Sequence, residues 1–169
     1  MRNLITKKVK DIDEYQPNTN KYRIRLDANE SPVIPEGKIS DDFVRAISTL
    51  EFNRYPDPYA TELINEYAKV YDIEPKNIVA GNGSDELISL ICSGFLEPND
   101  NVLVTKPDFS MYEFYSKLAG AELIRYEKDD YYDIDFNNLA KLANDNRSKI
   151  IIFSNPCNPT GNLFKRSEI

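Results

Sequence analysis

Lys149-Ile150-Ile151-Ile152-Phe153-Ser154 carries four apolar residues in an unbroken row, three of them β-branched. A run this short and this apolar reads as a β-strand buried on both faces, as in a parallel sheet covered by helices on either side. Working back from it, the same alternation of elements recurs. The pattern predicts a helix over Phe136 to Ala143 and, before the acidic, aromatic loop Asp129 to Asp133, a strand over Glu122 to Tyr126. Further back come a helix from Phe109 to Leu118, ended by Gly120, and a strand from Asn101 to Thr105. A helix from Ser84 to Phe95 buries a stripe of Leu87, Ile88, Leu90 and Ile91, and follows a short strand over Asn77 to Ala80. Strands alternating with helices predict an α/β fold: three layers, helix on sheet on helix, with a mostly parallel sheet.

Upstream of that unit the signals are sparser. A helix is expected from near Ala60 through Leu63, Tyr67 and Val70, after a turn stiffened by Pro56 and Pro58. Ser40, followed by Asp41 and Asp42, reads as the N-cap of a helix carrying Phe43, Ile47 and Leu50. Residues 1–39 are polar, hold Pro17, Pro32 and Pro35, and read as an N-terminal arm.

Composition narrows the function. With 41% apolar and 29% charged residues, the 169-residue chain fits a soluble globular protein and can bury a core. Its net charge of −7 makes nucleic acid and anionic membranes poor partners, although a local basic pocket for one small anion remains compatible with it. The absence of histidine excludes a Ser-His-Asp triad, a Cys-His pair and a His-ligated metal from this chain. Cys92 and Cys157 form no CxxC motif. A reduced, cytoplasmic setting is expected, with no metal and no membrane span.

Ligands of an open parallel sheet bind beyond the carboxyl ends of its strands. Gly81-Asn82-Gly83-Ser84-Asp85-Glu86 lies at such an end. Its glycines permit a tight turn, and free N–H groups at the start of a helix suit a phosphate. The plainer reading is a strand-to-helix turn in which Ser84 caps the helix and the acids complement its dipole. It is neither a dinucleotide fingerprint, since Glu86 stands where the third glycine belongs, nor a P-loop. Asn155-Pro156-Cys157-Asn158-Pro159-Thr160-Gly161 can present the Asn158 carboxamide to a ligand oxygen, or merely punctuate strand and helix. Pro107-Asp108-Phe109-Ser110-Met111-Tyr112 offers Phe109 for stacking on a planar ligand, unless both aromatics are simply core. Tyr55 is either a phosphate contact or a surface aromatic.

Together with Leu26-Asp27-Ala28-Asn29-Glu30-Ser31-Pro32 and Arg54-Tyr55-Pro56-Asp57-Pro58, these motifs occur in an order that resembles fold-type I, pyridoxal-phosphate-dependent aminotransferases of class I/II. The first three motifs in chain order are most similar to the histidinol-phosphate aminotransferases. The resemblance spans roughly residues 24 to 161. It implies that Gly83, Ser84 and Asp85 hold the phosphate of pyridoxal 5'-phosphate. It further implies that Phe109 stacks on the ring, where relatives often carry Tyr, and that Asn158 hydrogen-bonds the ring 3-oxygen. By the same resemblance Tyr55 reaches the cofactor phosphate of a partner subunit in a homodimer, and Asn29 lines the substrate pocket.

The family's Schiff-base lysine, its pyridine-nitrogen aspartate and its substrate-carboxylate arginine lie downstream of the last matched motif. Lys165, the only lysine after Asn158, stands too close to match that lysine. The resemblance therefore implies an N-terminal fragment: the arm, then the first half of the cofactor-binding large domain over 40–169. It is expected to contain no catalytic residue, to be inactive alone, and to be poorly soluble because of an open sheet edge. The complete enzyme would move an amino group from an amino acid or amino phosphate ester to a 2-oxo acid. Alternatives are a decarboxylase of a phosphorylated amino acid, a non-catalytic remnant, and an unrelated nucleotide-binding α/β domain. Arg23 and Arg25 are candidates for a substrate phosphate, or simply solvated.

Overall fold

The computed structural model describes residues 4–10, 12, 20–25, 30–31, 33 and 36–169. The chain divides into two compact units, residues 15–80 and residues 81–169 together with 1–14. Part of the expected arm, Asn29 included, lies outside the described residues.

Helix α1 is the single turn Lys7–Lys10. In the 15–80 unit, α2 spans Lys38–Ser48 and α3 spans Thr61–Tyr71. α2 starts two residues before the expected cap. Gly37, at φ 60°, takes the N-cap position and its carbonyl accepts the Asp41 N–H at 3.1 Å, so Ser40 sits inside the first turn. The expected strand over Asn77 to Ala80 is absent. Pro75–Asn77 form a 3-10 turn, whose hydrogen bonds close locally from Asn77 N–H to Glu74 and from Ile78 N–H to Pro75. Ile78 has extended angles but joins no ladder among the described residues.

The 81–169 unit carries the sheet. Strands β1 (Asn101–Lys106), β2 (Glu122–Glu127) and β3 (Ile150–Ile152) pair in the order β2-β1-β3, both pairings parallel. Helices α4 (Gly83–Phe95), α5 (Met111–Ala119) and α6 (Phe136–Asp145) complete it. Period-two alternation splits β1 between two cores. Val102 and Val104 point to a cluster with Cys92 and Leu96 at the end of α4, flanked by Tyr112 and Tyr115 of α5. Leu103 points the other way, to Leu139 and Ala143 of α6 with Ile134 and Phe164. Sheet and helices thus form the expected three layers. Burying an aliphatic side chain in either core contributes about 1.5–3 kcal/mol.

The strand buried on both faces is β1, not the isoleucine run. Leu103 is fully buried, whereas Ile151 is 39% exposed. β3 lies at an edge, with a neighbour on one side only. It is also shorter than expected, because the Ser154 N–H leaves the ladder to donate to the Asp108 carboxylate at 3.2 Å. α5 likewise starts later than expected: Asp108 takes the Phe109 N–H at 2.7 Å, and Ser110 becomes the N-cap. No described helix is long and apolar enough to cross a membrane.

Candidate functional site

Five residues connect the end of α4 to the start of β1, so the helix returns alongside its strand. The first turn of α4 therefore lies at the carboxyl edge of the sheet, where the chain also leaves β1 into Pro107–Ser110 and β3 into Phe153–Gly161. Gly83, Ser84, Asp85, Phe109 and Asn158 accordingly gather at one edge of one unit. Tyr55 belongs to the other compact unit, with its side chain fully exposed.

The start of α4 is built as a set of donors. Gly83, not Ser84, is the first helical residue; its φ of 81° is one that L side chains rarely adopt, and a Cβ there would meet nothing within 4 Å. Asn82 occupies the N-cap position without a side-chain cap bond. The Glu86 carboxylate instead reaches back to accept the Asn82 N–H, and the Gly83 N–H turns to the Gly81 carbonyl at 3.0 Å. The N–H groups of Ser84 and Asp85 belong to the first turn, which has no intrahelical acceptors for them. Ser84 itself is exposed. This is the donor set a phosphate needs.

The two asparagines of the Asn-Pro motif do different work. Asn155 clasps Phe164 in both directions, its Nδ2 donating to the Phe164 carbonyl and its Oδ1 accepting the Phe164 N–H, each at 2.9 Å. Backbone bonds from Cys157 N–H to Asn162 at 2.8 Å and from Gly161 N–H to Cys157 at 2.7 Å tie the loop further. Both Asn-Pro peptide bonds, and Lys106-Pro107, are cis. Asn158 is exposed on this braced loop, and its carboxamide meets no partner among the described residues. The Thr160 hydroxyl, two residues on, is buried and also unpartnered among them. Phe109 is half-buried, its ring edge-on to Tyr112 at 5.6 Å and 85°.

Beneath these groups lies a network that no motif announced. The buried Asp108 carboxylate accepts from the Thr105 hydroxyl at 2.5 Å, the Ser154 hydroxyl at 2.6 Å, the N–H groups of Phe109 and Ser154, and the Lys128 ammonium at 3.2 Å. Ser154 has one hydroxyl proton, committed to Asp108, so the Tyr112 O–H donates to Ser154 across their 3.0 Å contact. Lys128 also donates to the Cys157 sulfur at 2.9 Å, and the Cys157 thiol points to the Pro107 carbonyl at 3.8 Å. Both side chains of the ion pair are withdrawn from solvent, at 0% exposure for Lys128 and 2% for Asp108. Burial alone would raise the Asp108 carboxyl and is the largest single influence on it. The hydrogen bonds from Ser154, Thr105 and Phe109 together outweigh it and hold the group below the ordinary carboxylate value. One position-based signal was available: Asp108, Lys128 and Ser154 each fall within two residues beyond the end of a strand.

The chain is similar to known proteins over nearly its whole length. Residues 21–169 match the family model described as aminotransferase class I and II. A histidinol-phosphate aminotransferase of Clostridium novyi (strain NT) is 40% identical over 169 residues, covering all of this chain and 48% of that protein. One from Hydrogenobaculum sp. (strain Y04AAS1) is 36% identical over 166 residues, covering 98% of this chain and 47% of the relative. The chain thus spans about half the length of the curated relatives it matches. In fold it is similar to the crystal structure of histidinol-phosphate aminotransferase from Sinorhizobium meliloti in complex with pyridoxal-5'-phosphate. The TM-score is 0.83 at 21% identity, over 96% of this chain and 45% of that one. L-threonine-O-3-phosphate decarboxylase from Porphyromonas gingivalis has a similar fold, with a TM-score of 0.59 at 24% identity, over 76% of this chain and 38% of that one.

Proposed function

Since the chain belongs to the class I and II aminotransferase family, we propose that its carboxyl sheet edge binds pyridoxal 5'-phosphate and that the whole protein transfers an amino group to a 2-oxo acid. The amino donor is an amino acid or an amino phosphate ester of the histidinol-phosphate type. In this reading the first-turn N–H groups of α4 and the Ser84 hydroxyl take the phosphate, Asp85 contributing its N–H. Phe109 lies against the ring and Asn158 donates to the 3-oxygen. Bound there, the cofactor supplies an electron sink for removal of an α-proton. Donating to the 3-oxygen favours its ionised form. No group of this chain is assigned the proton transfer.

The observation that carries the reading is the gathering of a donor-rich helix start, a half-buried aromatic and a braced, unpartnered carboxamide at one sheet edge. The division into an arm over 1–39 and a large-domain segment over 40–169 belongs to the same proposal. So does the role of Tyr55 in a homodimer, to which its full exposure is suited. Asn29 is proposed for the substrate pocket on the resemblance alone.

Titration of the chain with pyridoxal 5'-phosphate, followed by absorbance, tests the site. Saturable binding is expected, weakened by inorganic phosphate and by Asn158→Ala, with no binding of ATP or NAD. Equal binding of NAD, or indifference to Asn158→Ala, would overturn it. For the whole protein, formation of a 2-oxo product with amino transfer to the acceptor is expected; release of carbon dioxide instead would identify a decarboxylase.

A further inference from the structure

The Asp108 network does more than fill space, because its members come from all three strand ends. Thr105 is the penultimate residue of β1, Lys128 follows β2, and Ser154 lies just beyond β3. Asp108 fixes the backbone N–H of Phe109 directly, at 2.7 Å. Lys128 grips the Cys157 sulfur at 2.9 Å, one residue before Asn158. The Cys157 thiol returns to the Pro107 carbonyl, one residue before Asp108. The loops bearing Phe109 and Asn158 are therefore joined by the two Ser154 hydrogen bonds to Asp108, by one buried ion pair and by a thiol.

We propose that Asp108 and Lys128 are positioning residues that hold Phe109 and Asn158 in register across the sheet edge. The cofactor half of this inference rests on the function proposed above; the coupling of the two loops does not. A buried pair is well suited to the task, since neither charge can leave its partner without being stranded away from water. Stability alone would be served as well by apolar side chains.

Lys128→Met is the first variant, because it leaves Asp108 its four uncharged donors. Asp108→Asn combined with Lys128→Met removes both charges and guards against a simple failure to fold. Amide hydrogen exchange of the unliganded chain gives the first readout. Both variants are expected to speed exchange about tenfold in 107–110 and in 153–161 together, while 101–105 keeps its protection. Uniform acceleration through β1, or acceleration of one loop alone, would overturn the proposal.

Affinity for pyridoxal 5'-phosphate gives the second readout. Lys128→Met is expected to weaken binding about tenfold, and the loss is expected to shrink in an Asn158→Ala background, as coupled residues require. Additive losses would overturn the proposal. If the two loops lose protection together in a chain that never binds the cofactor, the functional reading falls and the positioning role stands.

Discussion

The sheet carries a Lys–Asp pair at each end, and the two are built from the same chemistry to opposite effect. At the amino edge, Lys149 meets Asp100 at 2.7 Å with 46% and 27% of the side chains exposed. At the carboxyl edge, Lys128 meets Asp108 at the longer distance of 3.2 Å with both side chains withdrawn from water. Distance alone would rank the first pair higher. Solvent reverses the order, because water and salt screen the outer pair while the inner one is withdrawn from both. Asp100 also accepts the Glu97 N–H at 2.7 Å and so closes a turn, whereas Asp108 joins three strand ends.

Breaking the inner pair from one side gives the largest expected effect. Asp108→Ala strands the Lys128 ammonium in the core and should cost about 3–5 kcal/mol in urea unfolding. Replacing both residues with apolar side chains should recover most of that loss. If the single and double variants proved equally unstable, the cost would be one of packing rather than of charge.

The middle of the sheet calibrates the scale. Leu103→Ala removes a fully buried side chain and should cost about 2–5 kcal/mol. Unlike the Asp108 variants, it should not uncouple the exchange of the two loops.

Acidity acts on both pairs in the same direction, since the hydrogen bond from Lys149 also holds the Asp100 carboxyl below its ordinary value. The Asp108 carboxyl is held below its unfolded value of about 3.9. Its stabilisation is therefore complete above that value and disappears as pH falls through the folded one. Unfolding midpoints measured down the acid limb should decline more shallowly in Asp108→Asn than in the unaltered chain. Some decline should persist, because hydrogen bonding to Arg125 depresses Glu113 in the same direction.

A smaller effect is expected from the cap of α6. Asp135 accepts the N–H groups of Asn137 and Asn138 at 3.0 Å each, and Asp135→Ala should cost about 1 kcal/mol. Last comes the outer pair: Lys149→Ala should leave the thermal midpoint where it is, and a loss rivalling that of Asp108→Ala would erase the contrast between the two edges.

Periodicity made the α/β alternation legible, since helices and strands imprint their spacing wherever one face is buried. It misplaced the doubly covered strand because an isoleucine run reports hydrophobicity, not position in the sheet. Val102, Leu103 and Val104 carry fewer β-branched residues yet sit at the centre, by virtue of having a neighbour on each side. Helix starts slipped for local reasons: a left-handed Gly37 began α2 early by accepting the Asp41 N–H, and the Asp108 carboxylate delayed α5 by taking the Phe109 N–H. At the candidate site, Gly83, Ser84, Phe109 and Asn158 could be proposed from the sequence because motif order is a one-dimensional signal. Lys128 was not, because its meaning depends on Asp108 and Cys157, which reach it only through the fold. The motif singled out Asn158 but gave no sign that Asn155 braces the loop by bonding Phe164.

Asp108 receives five hydrogen bonds, from Thr105, Phe109, Lys128 and twice from Ser154. A carboxylate offers roughly four lone-pair directions. With every one engaged, it has no vacancy for a substrate proton. The most deeply buried acid at this edge is thereby disqualified as a general base.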